Sequence, residues 1–231
     1  MSFINTGVNW SARSEFLNGI FPILPKKFNG NAINMPILST STITAVSVQN
    51  TKRKDKWAAI TLPSYRVNVS SSLFNSCGLW QIVANDGTEK VSQPFNVVLE
   101  DARIAYIDTY MTGGADYNIG GTDYPHRIYF YMANLQIVPA EKVTKYDDER
   151  GTIIPLSATN YTTYTLQTIN TDAFTLEKLM KISNNDHITL NYIDANGNSQ
   201  SVNLIRTSEA PTIERYPKMS SGSFSCKFVK A

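Results

Sequence analysis

Residues 187–204 read His-Ile-Thr-Leu-Asn-Tyr-Ile-Asp-Ala-Asn-Gly-Asn-Ser-Gln-Ser-Val-Asn-Leu, and this stretch decides the fold class. Ile188, Leu190 and Tyr192 alternate with polar residues at the two-residue period of a half-buried strand, and Val202 and Leu204 do the same on the return. Between them, Asp194-Ala195-Asn196-Gly197 supplies a turn, because Asn-Gly accepts the positive backbone angles that a tight hairpin demands. A hairpin of this kind predicts antiparallel sheet.

The clearest helix lies just upstream. Asp172 is placed to cap it, and Ala173, Leu176, Leu179 and Met180 share one face. Lys178 and Lys181 sit near its end, where the helix dipole favours cations, and Asn184-Asn185-Asp186 closes it. Residues 152–171 hold Ile153, Ile154, Tyr161, Tyr164 and Leu166 among many Thr, again strand-like. Within His126 to Val138, the run Ile128 to Met132 has apolar or aromatic residues on both alternate faces, which predicts a central strand covered on both sides. Ala140 to Tyr146 continues the sheet to a charged turn at Asp147-Asp148-Glu149-Arg150-Gly151.

Further strands are expected at Ile43 to Val48, Trp57 to Leu62, Tyr65 to Val69, Leu79 to Val83 and Phe95 to Leu99, with Asn85-Asp86-Gly87-Thr88 as a hairpin turn. Ser208 to Gly222 reads as loop and Ser223 to Val229 as a closing strand. Residues 1–40 read as an irregular arm with one short helix, capped by Ser11 and stopped by Gly19, before Pro22, Pro25 and Pro36. The expected organisation is this arm followed by a single β-rich domain over 41–231, with a division near 150–160 as the alternative. The expected fold class is mainly β: a barrel or sandwich with one packed helix, extended arms and loops.

Composition narrows the function classes. Charged residues make up 17% of the chain, against roughly 25% in ordinary soluble domains. Asn, Thr, Ser and Tyr fill the polar positions instead, which suits faces that pack on other subunits, since charge is depleted from interface cores. A net charge of +2 is too small to imply nucleic-acid or membrane binding by itself. The start lacks the basic and apolar regions of a signal peptide, and no stretch approaches the roughly 18 apolar residues of a membrane helix. Cys77 and Cys226 are therefore expected to be free thiols.

The catalytic inventory is thin. His126 and His187 are the only imidazoles, and neither has carboxylates or thiols at metal-ligand or general-base spacing. The loop Thr112 to Tyr124 is rich in Gly but lacks the Lys-Ser/Thr and the following helix of a phosphate loop. It reads as a hairpin arm that reaches a partner. Asp194, Asn196 and Asn198 alternate like calcium ligands, but the distal Glu is missing and the turn accounts for them. Asp147, Asp148 and Glu149 read as a solvated turn. No catalytic residue, cofactor or metal site is expected. Lys52, Arg53, Lys54 and Lys56 form the one basic run, a hairpin tip whose alternative reading is contact with nucleic acid or an acidic partner.

Taken together, the chain resembles virion structural proteins of tailed bacteriophages, from the tail or the head–tail connector. The resemblance rests on β segments rich in Asn, Thr and Tyr, an arm from Met1 to Asn31 and the Gly-rich loop Thr112 to Tyr124. A flanking helix from Asp172 to Ser183 and a terminal strand from Ser223 to Val229 complete it. Tail-tube and ring subunits are similar: a β-barrel or sandwich with one helix, plus arms that clasp neighbours in a ring. The resemblance implies a non-enzymatic subunit assembled in the host cytoplasm and residing in the virion. Its partners would be copies of itself and other virion proteins, with passing contact to DNA. Phe3, Ile4 and Trp10 on the arm, and Tyr117 and Ile119 in the loop, are then the apolar anchors expected to dock into neighbours. The rival class is a carbohydrate-binding or adhesin-type sandwich, which would display Trp57, Trp80 and tyrosines on an exposed platform.

Overall fold

Strand dominates the chain from Phe3 to Lys230. In a computed structural model, the described residues are 3–4, 10–11, 23–26, 35–50, 56–58, 64–69, 76–85, 89–92, 94–99, 101–112, 118–119, 122–123, 126–147, 153–215 and 221–231. The first part carries β1 (Phe3–Ile4), β2 (Trp10–Ser11), β3 (Ile23–Lys26), β4 (Met35–Ile43), β5 (Ala45–Asn50), β6 (Lys56–Ala58), β7 (Ser64–Val69), β8 (Gly78–Asn85), β9 (Glu89–Ser92) and β10 (Phe95–Leu99). The second carries β11 (Ile104–Tyr110), β12 (Asn118–Ile119), β13 (Thr122–Asp123), β14 (His126–Asp147), β15 (Ile153–Ile169), β16 (Thr171–Asp172), α1 (Ala173–Ile182), β17 (His187–Ile193), β18 (Ser199–Arg206), β19 (Thr212–Arg215) and β20 (Ser221–Lys230). The fold is mainly β with one helix among the described residues, as the alternation predicts. No ladder among them joins a strand before Leu99 to one after Ile104.

The first part forms a sheet ordered β1-β4-β7 and a second ordered β2-β9-β8-β10-β3, onto which β5 and β6 add through β8. Val48, Trp80, Ile82, Phe95 and Val97 are buried in the second sheet. Residues 1–40, expected to be irregular, contribute strands: β1 pairs with β4, β2 with β9, and β3 runs parallel to β10. The helix expected from Ser11 to Gly19 lies outside the described residues, except for Ser11 itself, which is in β2.

The second part closes on itself. Antiparallel ladders run β14-β11-β17-β18-β20-β15, and β15 pairs back onto β14, so the ring of strands is a barrel with no free edge of its own. The hairpin around Asn196-Gly197 forms as expected: Ile188 faces Leu204, Leu190 faces Val202, and Gly197 has φ +82°. The Asp194 carboxylate accepts the backbone N–H groups of Asn196 and Asn198, each at 2.9 Å, so its oxygens serve the turn. Ser208 to Gly222, read as loop, includes β19, which lies along β20 and extends the wall begun by β18.

Inward positions fill the barrel with Ile107, Phe130, Leu166, Leu190, Phe224 and Phe228. Each such side chain contributes about 1.5–3 kcal/mol by leaving water. The helix belongs to the same core. Asp172 accepts the N–H of Thr175 at 3.0 Å, and Leu176, Leu179 and Ile182 recur on the buried face. Just before it, Asn170 takes φ +50° and breaks the line of β15. Thr168 Oγ1 holds that break by accepting from Thr171 Oγ1 at 2.9 Å and from the Phe224 N–H at 3.0 Å.

The expectation that His126 to Val138 is covered on both sides is overturned. Ile128 and Phe130 are buried, but Tyr129 and Tyr131 are half-buried on the outer wall, and Ala133, Asn134 and Gln136 to Val138 are exposed. The reason is the length of β14. Only its first third pairs with β11, from His126 to Tyr131. Beyond a bulge at Ala133 its sole described ladder partner is β15. β15 in turn pairs with β20 only from Thr163 to Gln167. A two-stranded ribbon, running from Pro139 opposite Thr162 to Asp147 opposite Ile153, therefore projects from the barrel.

Candidate interaction surface

Among the described residues, the ribbon and its root expose large apolar side chains. Residues directly opposite in an antiparallel ladder share a face, so the register sorts its side chains. One face continues the barrel interior: Leu135 with Leu166, Ile137 with Tyr164, Pro139 with Thr162, Glu141 with Asn160, and Val143 with Ala158. The other continues the outer wall: Val138 with Thr163, Ala140 with Tyr161, Lys142 with Thr159, and Thr144 with Ser157. Ile137 is 46% exposed, Val138 40%, Tyr161 38% and Val143 37%, so large apolar side chains face water on both sides. Where the ribbon leaves the barrel, Pro139, Ala140, Glu141, Asn160, Tyr161 and Thr162 line an open groove of about 340 Å³. Val143 and Tyr161 are on the ribbon itself, one on each face, and Ile137 and Val138 are at its root.

The barrel wall behind the ribbon is locked by cross-strand polar contacts that the sequence did not single out. Arg127 Nε and Nη2 donate to the two Asp108 oxygens, each at 2.7 Å, and its guanidinium lies 4.3 Å from the Tyr106 ring centroid. Tyr106 and Tyr129 meet at 5.3 Å. These four residues stand on two rungs of the ladder between β11 and β14 that share a face, with the rung Ile107–Ile128 between them, a placement visible only once the register is known. The hydrogen bond to the Asp108 carboxylate raises the Arg127 pKa, and burial raises that of Tyr129 to about 12.

The two histidines flank the end of β11. His126 pairs with Thr109 and His187 with Tyr110. The His187 ring stacks on Tyr110 at 4.1 Å, with Nε2 3.1 Å from Thr112 Oγ1, and the nearest carboxylate, Asp186, is 3.9 Å away. That ring is exposed and packs beside the start of the Gly-rich loop, whereas the His126 side chain lies outside the described part. Among the described residues no three His, Cys, Asp or Glu side chains are grouped to hold a metal.

The remaining candidates from the sequence fall as follows. Phe3 and Ile4 sit in β1 opposite Ser39 and Leu38, and Trp10 in β2 opposite Ser92, so the arm's strands pair within the chain. Ile119 pairs with Thr122 in a two-strand ladder inside the Gly-rich loop; Tyr117 lies outside the described residues. So do Lys52, Arg53 and Lys54, while Lys56 opens β6 opposite Gln49. Trp80 is 1% exposed and its Nε1 donates to the Ser76 carbonyl at 2.9 Å, so it forms no platform. Cys77 is exposed, Cys226 is buried, and both thiols are free. No helix among the described residues is long and apolar enough to cross a membrane. No known protein family matches the chain, and no curated protein is similar to it in sequence.

Proposed function

We propose that this chain is a non-enzymatic structural subunit that assembles with copies of itself and companion proteins into a ring or tube. The setting it fits best is the tail or head–tail connector of a tailed phage. The ribbon from Pro139 to Asp147 and Ile153 to Thr162 carries this reading. A two-stranded ribbon has too little burial to persist alone in water, and apolar exposure on both faces adds to its cost. An element of that kind earns its place when neighbours cover it. The polar, weakly charged exterior and the closed barrel beneath it support the same reading: a rigid body with one reaching arm suits repeated head-to-tail contacts, which form rings when the rotation closes.

Electron microscopy and sedimentation of the purified full chain test this. The expected outcome is concentration-dependent rings or stacked rings. Strictly monomeric behaviour, together with absence of the protein from purified phage particles, would remove the proposal. A phage setting is separately tested by immunogold labelling of intact virions, where label on the tail or neck is expected.

A further inference from the structure

At the end of the barrel where the Gly-rich loop leaves, the sheet stops early and side chains take its place. Tyr110 opposite His187 is the last rung between β11 and β17 among the described residues. β17 cannot begin sooner, because the chain before it is still occupied with the end of α1. There the N–H groups of Ser183, Asn184 and Asn185 donate to the Leu179, Lys181 and Ile182 carbonyls, at 3.2, 3.2 and 2.9 Å. The chain leaving β11 therefore meets the side chains of residues 185–187 instead of a further rung. The Thr112 N–H donates to the Asp186 carboxylate, 3.2 and 3.3 Å from its two oxygens. Thr112 Oγ1 lies 3.1 Å from His187 Nε2, and the same imidazole stacks on Tyr110. One step inside, Thr109 is fully buried. Its hydroxyl donates to the His187 carbonyl at 2.7 Å and accepts from Asn185 Nδ2 at 2.9 Å.

We infer that Asn185-Asp186-His187 is a clasp that fixes the base of the Gly-rich loop to the C-terminal end of α1, so that loop base and helix end open together. Three consecutive residues hold Thr109, Tyr110 and Thr112 of the facing chain. They follow directly on a helix whose Leu176, Leu179 and Ile182 are part of the barrel core. The loop's first residue is thus tied to the rigid body through side chains. Side chains of this kind satisfy backbone groups that the sheet leaves over.

The clasp goes beyond the assembly reading and stands whether or not copies of the chain associate. Its use is preparation: a loop held at its base has less freedom to lose when its far part meets a partner. A local hydrogen bond would protect the Thr112 amide alone, whereas a clasp links the protection of amides on both sides of it. The acceptor is a carboxylate, and loss of one such bond is enough for about a tenfold change in an opening equilibrium.

Amide hydrogen exchange of the full chain, read residue by residue at low concentration, tests this. Asp186→Ala should speed exchange about tenfold at Thr112, at Asn184 and Asn185, and across the β12–β13 ladder from Asn118 to Asp123. Leu190 and Leu204 in the core should exchange as in the parent. Asp186→Asn keeps an acceptor oxygen and should recover most of the protection. His187→Phe keeps a ring on Tyr110 but loses the contact to Thr112, and should speed the same amides by a smaller factor. Faster exchange at Thr112 alone would make the bond local and overturn the clasp. Unchanged exchange at Thr112 overturns it outright. So does faster exchange that extends to Leu190 and Leu204, since the barrel itself would then have loosened. No recovery in Asp186→Asn would make charge, not the accepted N–H, the cause, and would also sink it.

Discussion

Cutting the ribbon back to its root should leave the barrel as stable as before while abolishing assembly. Ala140 and Tyr161 are directly opposite, so residues 141–160 can be replaced by an Asn-Gly turn without stretching the ladder. Glu141 to Lys145 and Ser157 to Asn160 are all exposed, and apart from Val143 they bring little apolar burial. Their ladder hydrogen bonds are worth about 0.5–1.5 kcal/mol each. Ordering each residue costs about 1–2 kcal/mol. The ordering cost is at least as large as the gain from the bonds, so removal is predicted not to lower the unfolding free energy by more than about 1 kcal/mol. Denaturant unfolding at a concentration where the parent is monomeric reads this directly, and sedimentation of the same samples reads assembly. A loss above about 2 kcal/mol would refute the reasoning, because it would mean that the ribbon packs on its own body in solution.

Substitutions at three other positions probe the barrel. Gly222 sits where β19 and the helix close on β20: an added Cβ would collide with the Glu214 carbonyl and lie 3.0 Å from Leu176 Cδ1, so Gly222→Ala should cost about 1–3 kcal/mol in chemical denaturation. Asp172→Ala should cost about 1–2 kcal/mol by removing the cap of α1, and Asp172→Asn should recover most of it; equal losses in thermal melts would mean that capping is not the cause. Burial lowers the Lys178 pKa to about 8. The folded state therefore binds fewer protons than the unfolded one between that value and the ordinary Lys value of about 10.4, so this residue's contribution to stability rises with pH across the window. Lys178→Met should stabilise the fold by about 1–2 kcal/mol near pH 7 and flatten that rise; an unchanged slope between about pH 8 and 10 would refute it.

What the sequence discloses is local, and what it hides is register. Asp172 followed by apolar residues at helical spacing announces α1, and Asn196-Gly197 between alternating runs announces its hairpin, because each signal fits within a few turns of chain. The ribbon carries no comparable mark. Ala140 to Lys145 has the composition of a strand inside a sheet, and only the absence of a β11 residue beyond Ile104 to pair with it exposes it. The bulge at Ala133 conceals more: even-numbered residues of β14 face inward before it and odd-numbered ones after it. The run Ile128 to Met132 precedes the bulge: Ile128 and Phe130 fill the barrel while Tyr129 and Tyr131 line the outer wall half-buried, so two apolar faces do not mean two covered ones.

The ribbon's own edges bear on how it is covered. Adding a strand from a neighbour needs a run of free backbone groups, and proteins blunt edges that must not pair with Lys, Pro and bulges. Pro139 contributes no N–H, Lys142 and Lys145 follow it, and register shifts interrupt the ladder at Ala133 and between Thr144 and Lys145. The edges are thus guarded, whereas the faces are left apolar at Ile137, Val138, Val143 and Tyr161. Under the proposed assembly, face-to-face packing is consequently favoured over strand addition. Val143→Asp should then break association, while Lys142→Gln, which leaves both apolar faces intact, should leave it within about twofold of the parent in sedimentation. The reverse pattern would point to the edge as the binding element.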